Sequence, residues 1–362
     1  MIGSNERTLS YHIFSINNII ISCSSNKFIP KDQYLLDDIN ITSDSKDVKP
    51  AQFTSYIRQN PNAKWFNLVK VPMHIYCASG LDSTKWFNQF FRKIGDAPVI
   101  YDHTLAEKSQ QVIEQAVKNM GYIRADVILN EKVQKNKLTL TYQIETGPLY
   151  KINHIAYHID DMRIQEIING DSLSTLIHEG MPFDVGTLDK ERQRITKLLQ
   201  RNGYYKFNKD FLVYQADTVR NTFKVDLTMK LLPYQRRKED IPTRHQPYKI
   251  RNVNVVENDN ILNTDIDFAG YDSTHHKGIN IFYKDKMYIR PNTLYDFNRI
   301  HPQRLYNQQD VQDTYESMGR LRALKYTNVR FNEVTQNDST MLDANIFISR
   351  GEDKSLSFEI EG

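Results

Sequence analysis

Apolar and polar positions along this chain follow two periods, and the switch between them recurs. Leu188, Ile195, Leu198 and Leu199 fall on one stripe at helical spacing, with Asp189 in the first turn and Lys197 and Arg201 near the last, as the helix dipole favours. Asn202-Gly203 predicts the helix stop, because glycine adopts the left-handed C-cap conformation without a Cβ penalty. Tyr204-Tyr205-Lys206-Phe207 predicts the restart of the chain as a strand. Phe223, Val225, Leu227, Met229 and Leu231 then alternate with Lys224, Asp226, Thr228 and Lys230, the period of a half-buried strand paired back through a hairpin.

An earlier stretch has the same layout. Thr104-Leu105-Ala106-Glu107 reads as a capping box, Leu105, Val112, Ile113, Ala116 and Met120 share a helical face, and Gly121-Tyr122 leads to a strand through Val127 and Leu129. Leu138, Leu140, Tyr142 and Ile144 alternate with polar residues in the closing strand. The interval from Asp102 to Gly121 and from Asp184 to Gly203 is 19 residues in both copies. A third copy is looser. Tyr306-Asn307 opens a helical stretch (Val311, Tyr315, Met318, Leu321), Lys325-Tyr326 stands where the tyrosine pair stood, and Leu342, Ala344, Ile346 and Ile348 alternate. Its turn has Ala323-Leu324 in place of the cap glycine, unless Gly319 ends the helix early. Tyr150-Lys151-Ile152-Asn153-His154-Ile155 is echoed 98 residues later by Tyr248-Lys249-Ile250-Arg251-Asn252-Val253. Each unit therefore reads strand, helices, strand, strand, and the fold class is α+β with three tandem units.

The segments between these copies carry separate expectations. Leu35, Leu36, Ile39 and Ile41 predict a first strand, and Pro50 to Gln59 a first helix. Trp86, Phe87, Phe90, Phe91 and Ile94 form an aromatic stripe at helical spacing behind an Asp82-Ser83 cap; core packing against the first sheet is the expectation, and a docking face for another protein is the alternative. Gln235 to Gln246 is charged and proline-punctuated, the composition of a joint. Asp259 to Pro291 reads as an insertion with a strand at Ile279 to Tyr283, and His275-His276 as a solvent-exposed loop without partners at metal-ligand spacing.

At 362 residues, the chain has room for three domains of roughly 90 to 120 residues. With 47 basic and 44 acidic side chains, the net charge of +3 gives no argument for nucleic acid as a partner. Two cysteines, Cys23 and Cys77, rule out a disulfide framework as the main stabiliser, and Cys77 reads as a small buried residue. No apolar run reaches the ~20 residues of a transmembrane helix. There is no Ser-His-Asp arrangement that spacing supports, no HExxH and no phosphate-cradling glycine loop, so no catalytic residue, cofactor or metal is expected, and the chain does not read as an enzyme.

The N-terminus resembles a bacterial lipoprotein signal. Arg7 precedes apolar Ile13 to Ile21, and Ile20-Ile21-Ser22-Cys23 matches a lipobox in which Cys23 would accept the lipid. The repeated units, with their Gly-x-x-Tyr-x-Ile opening at Gly147 to Ile152 and their helix-Gly-Tyr turns, resemble POTRA domains of the BamA/TamA superfamily of outer-membrane assembly proteins. Cys23 to Pro30 followed by Tyr34-Leu35-Leu36 is similar to the start of the lipidated TamA-like proteins, TamL, of Bacteroidetes. The resemblance covers Cys23 to Gly362 and implies a signal peptide at 1–22, a tether at 23–31, a first POTRA-like unit with an insertion at 32–148 and a second at 149–234. A linker at 235–246, a third unit with an insertion at 247–352 and a lead-in at 353–362 to a C-terminal β-barrel complete it. The barrel strands themselves are absent from this sequence, so a fragment or truncated product is expected.

What the resemblance implies for function is a periplasmic module at the outer membrane that takes unfolded β-barrel proteins as clients, by addition of an extended client segment to a free sheet edge. Periodicity does not show which edge is free. The resemblance points to the strands after the helix-Gly-Tyr turns, with candidate contacts at Ile123, Ala125 and Val127, at Tyr205, Phe207, Phe211 and Val213, and at Tyr326, Val329 and Phe331. Membrane attachment would come from lipid on Cys23 and, in a longer form, from the barrel. The alternative is an architectural scaffold that docks a TamB-like periplasm-spanning partner without touching clients.

Overall fold

Each unit is organised by a capped amphipathic helix laid on a small sheet. The computed structural model describes residues 25–65, 69–235, 237, 239–257, 268–336 and 339–351, so Cys23, the signal segment and the barrel lead-in at 353–362 lie outside the described residues. The chain divides into two compact units, Met1–Leu149 and Tyr150–Gly362. The first holds one repeat, and the second holds repeats 2 and 3.

In repeat 1, β1 (Leu35–Ser43) precedes α1 (Val71–Ala78), α2 (Trp86–Ile94), α3 (His103–Asn119), β2 (Asp126–Gln134) and β3 (Lys137–Glu145). Repeat 2 runs β4 (Lys151–His158), α4 (Met162–Gly170), α5 (Val185–Arg201), β5 (Leu212–Thr218) and β6 (Lys224–Leu231). Repeat 3 runs β7 (Lys249–Glu257), β8 (Asp272–His276), β9 (Ile279–Tyr283), α6 (Pro291–Phe297), α7 (Gln308–Gly319), β10 (Leu324–Gln336) and β11 (Ser339–Arg350). The sheets are ordered β1-β3-β2, β4-β6-β5 and β10-β11-β7-β9-β8. In every repeat the closing strand lies between the first strand, to which it is parallel, and the strand just before it in the chain, to which it is antiparallel. The fold is thus α+β with POTRA-like sheet-helix repeats, and among the described residues no strands close into a barrel.

The predicted helix boundaries follow the caps. Asp102, Asp184 and Asn307 each accept backbone N–H bonds at the start of α3, α5 and α7. The capping box expected at Thr104 is therefore displaced: Asp102 caps the helix, and Thr104 is one of its donors at 2.8 Å. Gly121 and Gly203 have φ of 98° and 102°, as a C-cap requires, and α7 ends early at Gly319. The first strands share a feature that alternation does not reveal. Their pairing slips at Leu36/Asp38, at Ile152/His154 and, through β11, where Leu342/Asp343 oppose Ile250/Asn252. A bulge thus falls at the same place in each repeat, and the ladder resumes directly after it.

Five expectations are corrected. Residues 204–207 form a turn and not a strand, because Tyr204 and Phe207 both point into the repeat 2 core and period-two alternation cannot be met there. Pro50 to Gln59 is only a short 3-10 turn, Pro50–Tyr56. His275-His276 lies on β8, where the rings meet Asn280 and Asn292; among the described residues no three metal-ligating side chains cluster. Finally, the aromatic stripe of α2 is not core. Trp86 is 78% exposed and Phe90 54%, whereas the buried residue of this helix is Asn88. Asn88 accepts the Gly80 N–H and donates to the Asp82 carbonyl, and Arg92 donates to the Gly80 and Leu81 carbonyls. The turn before α2 needs polar partners, so the polar side of the helix faces inward and the aromatic side faces out. The Asp82-Ser83 cap is also absent, since the N-cap position is Lys85 and makes no side-chain bond. Trp86→Ser is expected to change stability by less than about 0.5 kcal/mol in urea denaturation, against about 3–5 kcal/mol for a core tryptophan.

Candidate functional site

The strands predicted as edges do lie at the outside of their sheets: β2, β5 and β10 each pair on one side only. The residues named for them are distributed otherwise. Ile123 and Ala125 precede β2 in a turn, and Ala125 and Val127 are buried in the repeat 1 core. The Val127 carbonyl accepts the Gln110 side chain at 2.5 Å, which occupies part of this edge. Phe207 belongs to the repeat 2 core, and Phe211 sits in a 3-10 turn ahead of β5. Only Val213 of that group is on the strand, half-buried. On β10, Tyr326 is exposed, but the Val329 N–H already donates to the Tyr315 hydroxyl at 2.8 Å.

Tyr205 and Phe331, named for two different edges, face each other. Their rings are 5.5 Å apart, and Tyr205 also packs on Tyr248 at 5.7 Å and Tyr306 at 5.0 Å. Around this cluster the Tyr248 N–H donates to the Gly203 carbonyl at 2.9 Å, and Lys206 pairs with Glu333. Burial disfavours the Lys206 charge, yet Glu333 and Tyr248 together raise its pKa above that of an ordinary lysine. The turn after α5 is therefore the joint between repeats 2 and 3, and Tyr205 and Phe331 are spent on it. The stretch read as a linker takes part too. Tyr234 and Thr243 bridge across it, and His245 is buried against Phe207, Phe211 and Tyr234 while bonding the Leu232 carbonyl at 2.9 Å. Burial lowers the His245 pKa and favours the neutral ring. Such a role gave no sequence signal beyond a histidine two residues ahead of Pro247, in a stretch otherwise rich in charge.

The body of β5, of which only Val213 is among the predicted contacts, is open. Among the described residues, no side chain bonds the backbone of Val213–Thr218, and Gln215, Ala216, Asp217 and Thr218 are exposed. This edge can do what any unpaired strand can: it offers N–H and C=O groups to an extended segment.

Residues 34–147 match the family model for POTRA, described as a surface antigen variable number repeat. No curated protein matches the chain. Among solved structures, the POTRA3-5 region of Haemophilus influenzae BamA is similar at 12% identity and a TM-score of 0.40, covering 89% of this chain and 99% of that one. POTRA1-3 of Omp85 from Anabaena is similar at 11% identity and a TM-score of 0.27, covering 89% and 97%. CdiB from Escherichia coli is similar at 10% identity and a TM-score of 0.24, covering 57% of this chain and 28% of that one.

Proposed function

We propose that this chain is the periplasmic POTRA region of an outer-membrane protein assembly or translocation factor, and that it receives extended β-segments of unfolded outer-membrane barrel proteins. The observation that carries this reading is the edge of β5, which the repeat leaves unpaired along Val213–Thr218 beside a POTRA match in repeat 1. Main-chain pairing tolerates many client sequences, as an assembly factor requires. Lipid on Cys23 would hold the module at the periplasmic face of the outer membrane, and mass spectrometry of the mature chain tests that modification. For the edge, prolines placed singly at Gln215, Ala216 and Asp217 are expected to lower photocrosslinking to an unfolded barrel protein wherever the lost N–H points outward, with the melting temperature retained. Undiminished crosslinking in all three variants would remove β5 as the client site.

A second reading, a scaffold that docks a TamB-like partner, is favoured by the outward aromatic face of α2. Retention of a purified TamB-like protein by the full chain, compared with a Trp86→Ser/Phe90→Ser variant, decides whether that face takes part. Equal retention would assign it no role in such docking.

A further inference from the structure

Repeats 2 and 3 begin with the same strand but finish that strand's outer edge differently. In both, the turn ahead of the last helix closes the first residues: Ile152 exchanges bonds with Met181 and Gly180, and Ile250 with Arg304 and Gln303. Beyond that point repeat 3 continues with its own extra strand. Val253, Asn254, Val255 and Val256 of β7 pair in parallel with Ile279, Asn280, Ile281 and Phe282 of β9. The hairpin turn at Lys277-Gly278, with φ of 49° and 89°, leads into β9 from β8, which lies on its far side. Val253 and Val255 are completely buried under this addition.

Repeat 2 has no such strand. The 98-residue echo places Ile155 and Tyr157 where Val253 and Val255 stand, and both are only half-buried. They open into a groove of about 300 Å³ whose walls include Ile168 and Ile177, with Ser172 and Arg194 at its polar side. Among the described residues, nothing bonds the backbone of His154–His158 on its outer side. An edge with unpaired backbone, flanked by an apolar groove, matches the site that β9 fills one repeat later.

We infer that the outer edge of β4 is a second strand-acceptor site, and that its occupant is an extended segment of a partner protein. This segment runs parallel to β4 and sets alternate apolar side chains into the groove beside Ile155 and Tyr157. The chemistry of the occupant is that of β9, Ile-Asn-Ile-Phe-Tyr, which is this chain's own solution for the equivalent edge. The site lies on the opposite side of the repeat 2 sheet from β5, so it goes beyond the function proposed above and does not depend on it.

The test uses the full chain and a labelled peptide with the sequence of residues 277–285. A photoreactive residue replaces His158 at the end of β4 or, as the comparison, Gln215 on β5. Labelling at position 158 and not at 215 is expected. Ser172→Trp, which fills the groove from an exposed position, is expected to lower that labelling about tenfold while the melting temperature stays unchanged. Absence of labelling at 158, labelling at 215 alone, or labelling that Ser172→Trp leaves intact would overturn the inference. Crosslinking of two chains through position 158 without peptide, lost in Ser172→Trp, would give the edge to a second copy and equally overturn it. Failure of the β5 proline series leaves these outcomes unaffected, so the two proposals fail separately.

Discussion

Replacing Glu191 by alanine should cost repeat 2 about 3–5 kcal/mol, the largest effect expected from a single polar side chain here. Glu191 is on α5 and has 0% exposure, yet its carboxylate is fully engaged. Arg194 donates to both oxygens at 2.8 and 2.9 Å, the Thr175 hydroxyl donates at 2.9 Å and the Leu176 N–H at 2.9 Å. The residue therefore ties α5 to the connection that follows α4. Its loss strands Arg194, which keeps only Asp171, and leaves the Leu176 N–H without its acceptor. Burial raises the Glu191 pKa, but the Arg194 pair and the donated bonds outweigh it and hold the value below that of an ordinary glutamate. The contribution is thus present above the unfolded pKa of about 4.3 and is lost as pH falls through the folded value. Urea unfolding followed by circular dichroism at neutral pH and near pH 3 checks both parts. Both tryptophans, Trp65 and Trp86, lie in the first unit, so their fluorescence does not report on repeat 2. A Glu191→Ala variant with the wild-type midpoint would show that the clamp adds nothing.

Gly203→Val should uncouple repeats 2 and 3. A valine at φ of 102° is strained in its own backbone, and its Cβ would stand 3.1 Å from the Pro247 Cβ and 3.3 Å from the Leu305 Cδ2. Backbone strain of about 1–2 kcal/mol and overpacking of about 1–3 kcal/mol combine at this position. The bond from the Tyr248 N–H to the Gly203 carbonyl would open first, and the Tyr205 ring cluster and the Lys206–Glu333 pair would follow. Hydrogen exchange at the Tyr248 amide is the direct measurement. Faster exchange in the variant is expected, and protection equal to that of the native chain would refute the coupling.

The elements legible in the sequence are those in which one local rule decides. The interval from Asp102 to Gly121 and from Asp184 to Gly203 spans a capped helix from end to end, with the aspartates as N-caps and the glycines at positive φ where the helix stops. The closing strands β3 and β6 are readable because each buries one face only, which keeps alternation strict, whereas β11 also buries Asn345, Phe347 and Ser349 on its other face. Failure came where tertiary demand reversed a local preference. Tyr204 to Phe207 has strand composition, but two of its rings are needed in the core and a third at the joint. The α2 stripe has helical period, but periodicity does not say which side is inward, and the carbonyls of Gly80 and Leu81 drew Arg92 in. For the candidate site, strand order decides which edges exist, whereas a glutamine reaching Val127 and a tyrosine reaching Val329 cover part of two of them. Those contacts join positions 17 and 14 residues apart, and no spacing rule announces them.

The joint between repeats 2 and 3 is built from Gly203–Lys206 on one side and Tyr248, Tyr306, Phe331 and Glu333 on the other, while the bridge between Tyr234 and Thr243 closes off the residues between them. The described residues between them, 235, 237 and 239–242, are therefore a loop hung on a finished hinge. Its length is a free variable. Residues could be inserted or deleted there, or the loop cut by a protease, and the angle between the two repeats would stay where the tyrosines and the ion pair set it.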